Sequence, residues 1–216
     1  MSNSNPINQG IEVYQKHGSA WLESKADENH TREILEMLMS HIAEITGTPY
    51  ILDLCCGYGR LTLPLLEKLL NVVGVDLSPT LIQEAESRRI RLNLGNNMSF
   101  QVGDMKRIPF PDSQFDFGFC VWASLNFLSN LEDQTRAFTE IYRVLRPEGK
   151  FLIEIPFHED KDPVIQEIEA EGIKYLYFPF TQRYIQDLLA GFSFRTCTVD
   201  IANIANRKRT IVLLQK

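Results

Sequence analysis

A short apolar segment that leads directly into two closely spaced glycines most constrains how this chain folds. Tyr50–Leu54 is an apolar run of strand length that contains one carboxylate, Asp53. It is followed by Gly57 and Gly59, and then by a leucine-rich segment with helical spacing that begins near Arg60. A buried strand, a tight turn and a helix N-terminus in this order allow a ligand to approach bare backbone. The segment therefore predicts a ligand-binding turn at the carboxyl end of a buried parallel strand.

Strand and helix patterns alternate along the rest of the chain. Helical segments with one apolar face, such as that carrying Phe138, Ile141 and Leu145, separate short apolar runs. The predicted strands are Tyr50–Leu54, Asn71–Asp76, Ser99–Val102, Phe115–Val121, Lys150–Ile155, Phe192–Ile201 and Thr210–Leu214. Alternation implies right-handed crossovers and a parallel sheet, whereas the last two strands are joined too tightly for a crossover. The sequence predicts an α/β fold with a doubly wound seven-stranded sheet, mostly parallel, with an antiparallel C-terminal edge hairpin.

The length of 216 residues and the apolar content of 44% fit one domain with small additions. We expect residues 1–48 to form an N-terminal helical cap, whose segment Ile11–Trp21 acts as a lid over the ligand site. Residues 49–216 are expected to form the main domain. Within it, residues 157–180 are predicted to be an irregular insertion, acidic at first and then aromatic.

The net charge and the cysteine positions limit which binding partners and which cellular compartment are expected. The net charge is −6 and no long basic run is present, so nucleic-acid binding is not expected. No apolar run approaches the roughly 20 residues that span a bilayer, so membrane insertion is not expected either. The four cysteines lack metal-ligand spacing, which predicts no metal site and a reducing, cytoplasmic location. The sequence leaves the oligomeric state open.

Three aspartates stand at the ends of three successive predicted strands. They are Asp53, Asp76 and Asp104. Ligands of such sheets bind at the carboxyl ends of the strands, and a carboxylate after the second strand suits ribose hydroxyls.

Two ligands fit, NAD or an adenosine compound with a cationic amino-acid tail. The dinucleotide fingerprint lacks its third glycine, because Thr62 stands there, and Asp53 lies where a pyrophosphate would approach. The second ligand is favoured, and a NAD-dependent oxidoreductase remains an alternative.

The ordered set of motifs resembles the class I S-adenosylmethionine-dependent methyltransferases of small molecules. Asp53–Gly59, read as D-L-C-C-G-Y-G, resembles their motif D-x-G-x-G-x-G, and Asp76 matches their ribose-binding acidic residue. Gly103–Met105 resembles their adenine-side motif, and Arg143–Gly149 the turn R-x-L-x-P-G-G before the fifth strand. The likeness extends over about Tyr50 to Lys216. It departs from the family at two motif glycines, since Cys55 and Glu148 stand in their places.

This resemblance implies a Rossmann-like fold. It also implies S-adenosylmethionine as the cofactor, S-adenosylhomocysteine as the product, and a set of binding residues. The methionine part would be lined by Asp53, Cys55, Gly57, Tyr58, Gly59 and Arg60. The adenosine part would be held by Asp76, Leu77, Asp104 and Met105. Val121, followed by Trp122, would face the reactive sulfonium. Cys55 is equally consistent with a small buried core residue, and Asp116 is interpreted as structural.

The expected reaction is methyl transfer to an oxygen, nitrogen or carbon nucleophile of a small, partly apolar molecule. Aromatic side chains expected on the ligand side of the sheet either line its pocket or form core; they are Trp122, Phe127, Tyr175, Tyr177, Phe178 and Phe180. No catalytic residue is predicted, because no histidine, His158 included, has a partner at a meaningful spacing. Two further hypotheses stay open, a non-catalytic partner subunit that binds the cofactor and an enzyme that modifies nucleic acid.

Overall fold

The computed structural model describes residues 6–94 and 100–216, with side chains from residue 16 onward. The predicted helix end at Gly95–Asn97 and the predicted strand start at Ser99 lie outside the described residues. The helices are α1 (Pro6–Lys25), α2 (Glu28–Ala43), α3 (Thr62–Glu67), α4 (Pro79–Arg91), α5 (Leu131–Val144) and α6 (Gln182–Leu189), with a 3-10 helix at Ser124–Phe127. The strands are β1 (Tyr50–Leu54), β2 (Asn71–Asp76), β3 (Phe100–Val102), β4 (Phe115–Cys120), β5 (Leu145–Pro156), β6 (Gln166–Ala170), β7 (Ile173–Tyr177), β8 (Thr196–Ile204) and β9 (Arg207–Gln215).

Seven of these strands form one sheet in the order β3-β2-β1-β4-β5-β9-β8. β3, β2, β1, β4 and β5 are parallel, whereas β9 pairs antiparallel with both β5 and β8. The strand order reverses between β1 and β4, which places the crevice for a ligand at their carboxyl ends. The predicted fold class, a mostly parallel doubly wound sheet with an antiparallel C-terminal hairpin, is confirmed.

The predicted insertion at residues 157–180 is more regular than expected. It contains a second, two-stranded sheet in which β6 and β7 pair antiparallel from Gln166↔Tyr177 to Ala170↔Ile173. The connecting residues Glu171 and Gly172 both have positive φ, at 52° and 78°. Two successive residues of positive φ form the tight turn whose twist matches a hairpin. The sequence interpretation missed this hairpin because a Glu-Gly pair is a weak turn signal.

The two N-terminal helices have different roles in the packing. α2 begins at the N-cap Asp27, whose carboxylate accepts the backbone N–H groups of Asn29 and His30. Its apolar face is formed by Ile34, Leu38 and Ile42, which are buried in the same core cluster as the strand residues Ile51 and Phe117. α1 instead bends at Gly18, where φ is 63°, and its second half packs against α4 and β7. No described helix is both long and apolar enough to span a bilayer.

Candidate cofactor-binding site

A cavity opens at the carboxyl ends of β1, β2 and β4, where the strand order reverses. It holds about 1080 Å³ of empty space, including the part that is open to solvent. Ten of the eleven predicted cofactor-binding residues line it: Asp53, Cys55, Gly57, Tyr58, Arg60, Asp76, Leu77, Asp104, Met105 and Val121. Residues from three strand ends and the first turn therefore meet in one place, as the sequence pattern predicted. Their contact with a cofactor remains a prediction.

The turn after β1 keeps its shape through residues of positive φ and through a hydrogen bond to the carboxylate of Asp76. The amide of Gly57 donates a hydrogen bond to Asp76 Oδ2 at 2.9 Å. Gly57 has a φ of 55°, and Cys55, which replaces a family glycine, has a φ of 65°. A positive φ costs a residue other than glycine roughly 1–3 kcal/mol. Cys55 therefore keeps the glycine conformation of the turn at an energetic cost, as does Glu148, whose φ is 66°.

Asp53 is the buried carboxylate of the site, with 2% of its surface exposed. Burial raises the pKa of Asp53 to about 7, against the opposing effects of a hydrogen bond from Thr62 and the charge of Arg60. Thr62 Oγ1 donates that bond to Asp53 Oδ2 at 2.6 Å. Near neutral pH the group is therefore divided between its two protonation states. A cation placed beside it would favour the ionised form.

Asp76 and Asp104 also line the cavity. Asp76 accepts backbone N–H groups through both oxygens, from Gly57 and from Ser78, each at 2.9 Å. Burial raises the pKa of Asp76, while these backbone hydrogen bonds oppose the rise. Asp104 accepts the N–H of Lys106 at 2.8 Å. Each carboxylate oxygen has two lone pairs, so Asp76 and Asp104 retain acceptor capacity toward the cavity.

Gly59 is the predicted binding residue that does not line the cavity. Its φ is 84°, and a Cβ at this position would lie 2.9 Å from Phe100 Cζ and 3.1 Å from Leu63 Cγ. The glycine is therefore required by the close packing of α3 on β3. A sequence motif does not distinguish a glycine that admits a ligand from one that admits a neighbouring side chain.

The segment after β4 forms one wall of the cavity and is hydrogen-bonded to a buried carboxylate, Glu154, that the sequence analysis did not identify. Trp122 and Ala123 both adopt positive φ, at 68° and 66°. The N–H of Trp122 donates to Glu154 Oε2 at 2.9 Å, and Glu154 is fully buried on β5. The other oxygen, Oε1, accepts His30 Nε2 at 3.1 Å and Arg209 Nε.

Burial disfavours the charge of Glu154, but the hydrogen bonds and charges of His30 and Arg209 lower its pKa to about 2. Glu154 is therefore ionised throughout the neutral range. Its only sequence signal was a carboxylate within an apolar strand, the same signal that identified Asp53.

Arg60 contacts both Trp122 in this wall and Thr31 of α2. Its guanidinium lies 4.8 Å from the centre of the Trp122 ring and donates to Thr31 Oγ1 at 2.8 Å. Arg60 lines the cavity together with Trp122. Stacking on the indole and the bond to Thr31 fix the guanidinium plane while donors remain for a ligand.

α1 covers one side of the cavity through Leu22, which packs with Tyr58 and Leu81. Arg88 of α4 bonds to two residues of α1. Arg88 Nη2 donates to Ser19 Oγ at 3.3 Å and to Glu23, and its guanidinium lies 4.7 Å from the Tyr58 ring centre. Leu22 lies just beyond the predicted lid segment Ile11–Trp21, whose role as a lid stays a prediction. Of the predicted segment Ile11–Trp21, the side chains before residue 16 lie outside the described residues.

Two of the six aromatic residues expected near the acceptor line the cavity. Trp122 and Phe127 line the cavity, and the Phe127 ring packs on Tyr175 at 5.3 Å. Phe178 and Phe180 are buried in the main core cluster instead. Tyr177 accepts or donates a hydrogen bond with His158 Nε2 at 2.9 Å, away from the residues that line the cavity.

Several lining residues were not among the predicted binding residues. They are Leu22, Cys56, Leu61, Ser78, Leu81, Gly103, Lys106, Ser124 and Leu128. Most are ordinary apolar residues of helices or loops, and only their placement makes them part of the site. Asp116, interpreted as structural, lies outside the cavity lining; it accepts the N–H of Tyr50 at 2.8 Å and forms an ion pair with Arg146.

Residues 51–149 match the family model described as "Methyltransferase domain". Among curated proteins, the chain is 31% identical over 123 residues to a ubiquinone/menaquinone biosynthesis C-methyltransferase of Rickettsia bellii, covering 54% of this chain and 48% of that protein. It is also 31% identical over 136 residues to a demethylmenaquinone methyltransferase of Lactiplantibacillus plantarum, covering 61% of this chain and 54% of that protein. The match thus spans about half the length of these relatives.

Among solved structures, the chain resembles 1,6-didemethyltoxoflavin-N1-methyltransferase of Burkholderia thailandensis, which was crystallised with its substrate and S-adenosylhomocysteine. The TM-score is 0.74 at 21% identity, covering 100% of this chain and 92% of that one. At this identity the likeness establishes a shared fold.

Proposed function

We propose that this chain is a class I S-adenosylmethionine-dependent methyltransferase, which transfers a methyl group from S-adenosylmethionine to an oxygen, nitrogen or carbon atom of a small molecule. The observation that carries this proposal is the meeting of Asp53, Asp76 and Asp104 in one cavity beside the first turn. A ligand with a cationic tail and a nucleoside would use all three carboxylates.

The residues of the cavity fit the separate parts of that cofactor. Asp76 has acceptor capacity for ribose hydroxyls, because each oxygen holds one backbone N–H and keeps a second lone pair. Asp53 would pair with the ammonium group, and Arg60, with donors left free by its bond to Thr31, with the carboxylate. Asp104, with the apolar side chains of Met105 and Leu81, would bind the adenine.

The bound cofactor supplies a methyl carbon that is already activated by its sulfonium. The chain's own residues then have to align the acceptor and exclude water, which can provide much of the barrier reduction. Trp122 and Val121 form the wall after β4, and Leu22 of α1 belongs to the apolar cluster against which Trp122 packs. These side chains are apolar, so the site favours methyl transfer over loss of the methyl group to water.

The acceptor that we propose is small and partly apolar. Trp122 and Phe127 supply aromatic side chains to the lining of the cavity. One relative is named as a ubiquinone/menaquinone biosynthesis C-methyltransferase and another as a demethylmenaquinone methyltransferase. Aromatic walls suit such ring compounds, because stacked rings gain free energy beyond the burial of their area.

The test begins with binding. Calorimetry should detect S-adenosylhomocysteine binding to the intact chain and no NAD binding; NAD binding without S-adenosylhomocysteine binding would contradict the proposal. Incubation with S-adenosylmethionine and a panel of hydroxylated and amino-substituted ring compounds, followed by mass spectrometry, then seeks a product 14 Da heavier. Tight binding with no product across a broad panel would favour the non-catalytic partner subunit.

A further inference from the structure

Lys106 lines the cofactor cavity beside Asp104. We propose that its ammonium group donates a hydrogen bond to a ring nitrogen of the adenine, so that Lys106 reads the base together with Asp104. This inference rests on the proposed function, in which Asp104 binds the adenine of the cofactor. It adds a second, cationic residue that determines which nucleobase the site accepts.

The strand order places Lys106 at the end of the cavity where the base would lie. A ligand that crosses the carboxyl ends of β1, β2 and β3 meets Asp53, Asp76 and Asp104 in that order. Asp104 and Lys106 belong to one turn after β3, which is closed by a hydrogen bond from the Arg107 N–H to the Asp104 carbonyl at 2.9 Å. With the amino-acid tail at Asp53 and the ribose at Asp76, the base would meet this turn.

Two carboxylates hold the ammonium group of Lys106 in place. Its Nζ lies 3.3 Å from Asp133 Oδ1 and 3.8 Å from Asp104 Oδ2. Asp133, in the first turn of α5, is 8% exposed and accepts the Asn130 Nδ2 group at 3.0 Å, so its own position is fixed. The Lys106 side chain is 18% exposed. The ammonium group is therefore held against the lining of the cavity instead of extending freely into solvent.

Lys106 keeps a hydrogen-bond donor for a ligand. An ammonium group carries three N–H donors and no acceptor. The 3.8 Å that separates Nζ from Asp104 exceeds the length of a hydrogen bond, so this contact is an attraction between charges. Among the residues that the structure describes, Asp133 and Asp104 are the carboxylates within 4.0 Å of Nζ. At least one N–H of Lys106 therefore remains for an acceptor atom in the cavity.

An acceptor and a donor side by side match one edge of adenine. The carboxylate of Asp104 is oriented by the backbone N–H of Lys106, which donates to Oδ1 at 2.8 Å. Adenine presents its exocyclic amino group as a donor and has a ring nitrogen acceptor on each side of it, N1 and N7. If Asp104 accepts the amino group, the ammonium group of Lys106 lies beside one of these nitrogens. Its charge strengthens the hydrogen bond.

The experiment measures the affinity of the intact chain for S-adenosylhomocysteine and for its 7-deaza and 1-deaza analogues. Each analogue replaces one ring nitrogen, N7 or N1, by a C–H group and keeps the amino group. We expect calorimetry to show that at least one analogue binds about tenfold more weakly than S-adenosylhomocysteine, as for the loss of a hydrogen bond to a charged group. The analogue that is affected identifies the nitrogen that Lys106 reads.

The variants decide whether Lys106 is responsible for this discrimination. Lys106→Met removes the donor and should bind S-adenosylhomocysteine about tenfold more weakly, while its affinity for the affected analogue stays unchanged. Because this variant leaves Asp104 and Asp133 without the cation between them, Lys106→Met/Asp133→Asn is measured beside it and should also lose the discrimination. Arg107→Met, which changes an exposed cation of the same turn, is the matched control and should keep it.

Equal affinity of the wild type for all three ligands would overturn the inference. So would a discrimination that persists in both Lys106 variants, because another group would then bind the ring nitrogen. If Lys106 served only to hold Asp104 in place, Lys106→Met would weaken all three ligands by the same factor, and this result would also refute the reading of the base. Failure of the wild type to bind S-adenosylhomocysteine would instead refute the proposed function.

Discussion

Asp53 combines burial with a carboxyl group that titrates near neutral pH. Its folded pKa of about 7 lies above the ordinary value of 3.8, so the protonated form is the more stable one in the folded chain. Its contribution to stability is therefore present below about pH 4 and is lost as the pH rises through 7. Binding of a cation reverses this preference. The position is suited to a ligand rather than to the stability of the empty protein.

Binding of S-adenosylhomocysteine should therefore release protons from Asp53 near pH 7 and strengthen between pH 6 and pH 8. Calorimetry in two buffers of different ionisation enthalpy measures the release. Asp53→Asn keeps the shape and the contact with Thr62, but it should weaken binding about 10- to 100-fold and remove the proton release. Asp116→Asn is the matched control, because that aspartate bonds to Tyr50 and Arg146 outside the cavity lining. Equal affinity of wild type and Asp53→Asn would show that this carboxylate does not bind the cofactor.

The two glycines of the turn should respond differently to substitution by alanine. At Gly59 a Cβ would lie 2.9 Å from Phe100, so Gly59→Ala should lower the free energy of unfolding by about 1–3 kcal/mol. At Gly57 the nearest atom to a Cβ is Leu22 Cδ1, at 3.7 Å on the cavity side. Gly57→Ala should carry mainly the strain of its positive φ and should reduce cofactor affinity more than Gly59→Ala. Urea unfolding and calorimetry on both variants measure the two effects; the reverse ranking would contradict this assignment.

At the scale of elements, Arg88 is one of the side chains that hold α1 over the cavity, together with Trp21, which donates to Glu171 at 3.2 Å. Arg88 of α4 bonds to Ser19 and Glu23 of α1 and stacks on Tyr58. Arg88→Ala should therefore free α1 while leaving the sheet intact, because surface ion pairs contribute little to global stability. We expect S-adenosylhomocysteine to dissociate about three- to tenfold faster and the amides of α1 to exchange faster.

Stopped-flow dissociation and hydrogen exchange measure these two changes. Arg91→Ala, an exposed arginine on the same helix, is the control. If α1 were only a packing element, both variants would dissociate the ligand at the wild-type rate.

At the scale of the whole molecule, Glu154 connects the helical layer to the sheet. Its carboxylate joins His30 of α2, Arg209 of β9 and the backbone after β4. The folded pKa of about 2 lies below the ordinary 4.5, so its contribution to stability is present above about pH 4.5 and is lost as the pH falls toward 2. Asp53 acts in the opposite sense, since its pKa is raised.

Glu154→Ala should lower the free energy of unfolding by about 3–5 kcal/mol at pH 7, because Arg209 would remain buried without its partner. The double variant Glu154→Gln/Arg209→Gln should be less affected. Its loss of stability between pH 4.5 and pH 2 should also be shallower than that of the wild type. Urea unfolding across this range measures both slopes; parallel slopes would mean that Glu154 does not titrate with folding.

The sequence alone determined the architecture and the acidic end of the site. Strand and helix periods specify a parallel sheet, and covalent order places Asp53, Asp76 and Asp104 at successive strand ends, where parallel strands bring them together. Local spacing is sufficient for such features, because strand ends and turns are defined by neighbouring residues.

Only the tertiary structure decided which residues face the cavity and which support it. Gly59 packs against Phe100, Phe178 and Phe180 enter the core, and Glu154 gathers partners from α2 and β9. These contacts join residues far apart in the chain, and no local pattern encodes them. The physical reason is that burial and pairing of a charge depend on every element packed around it, whereas the period of a strand depends on the strand itself.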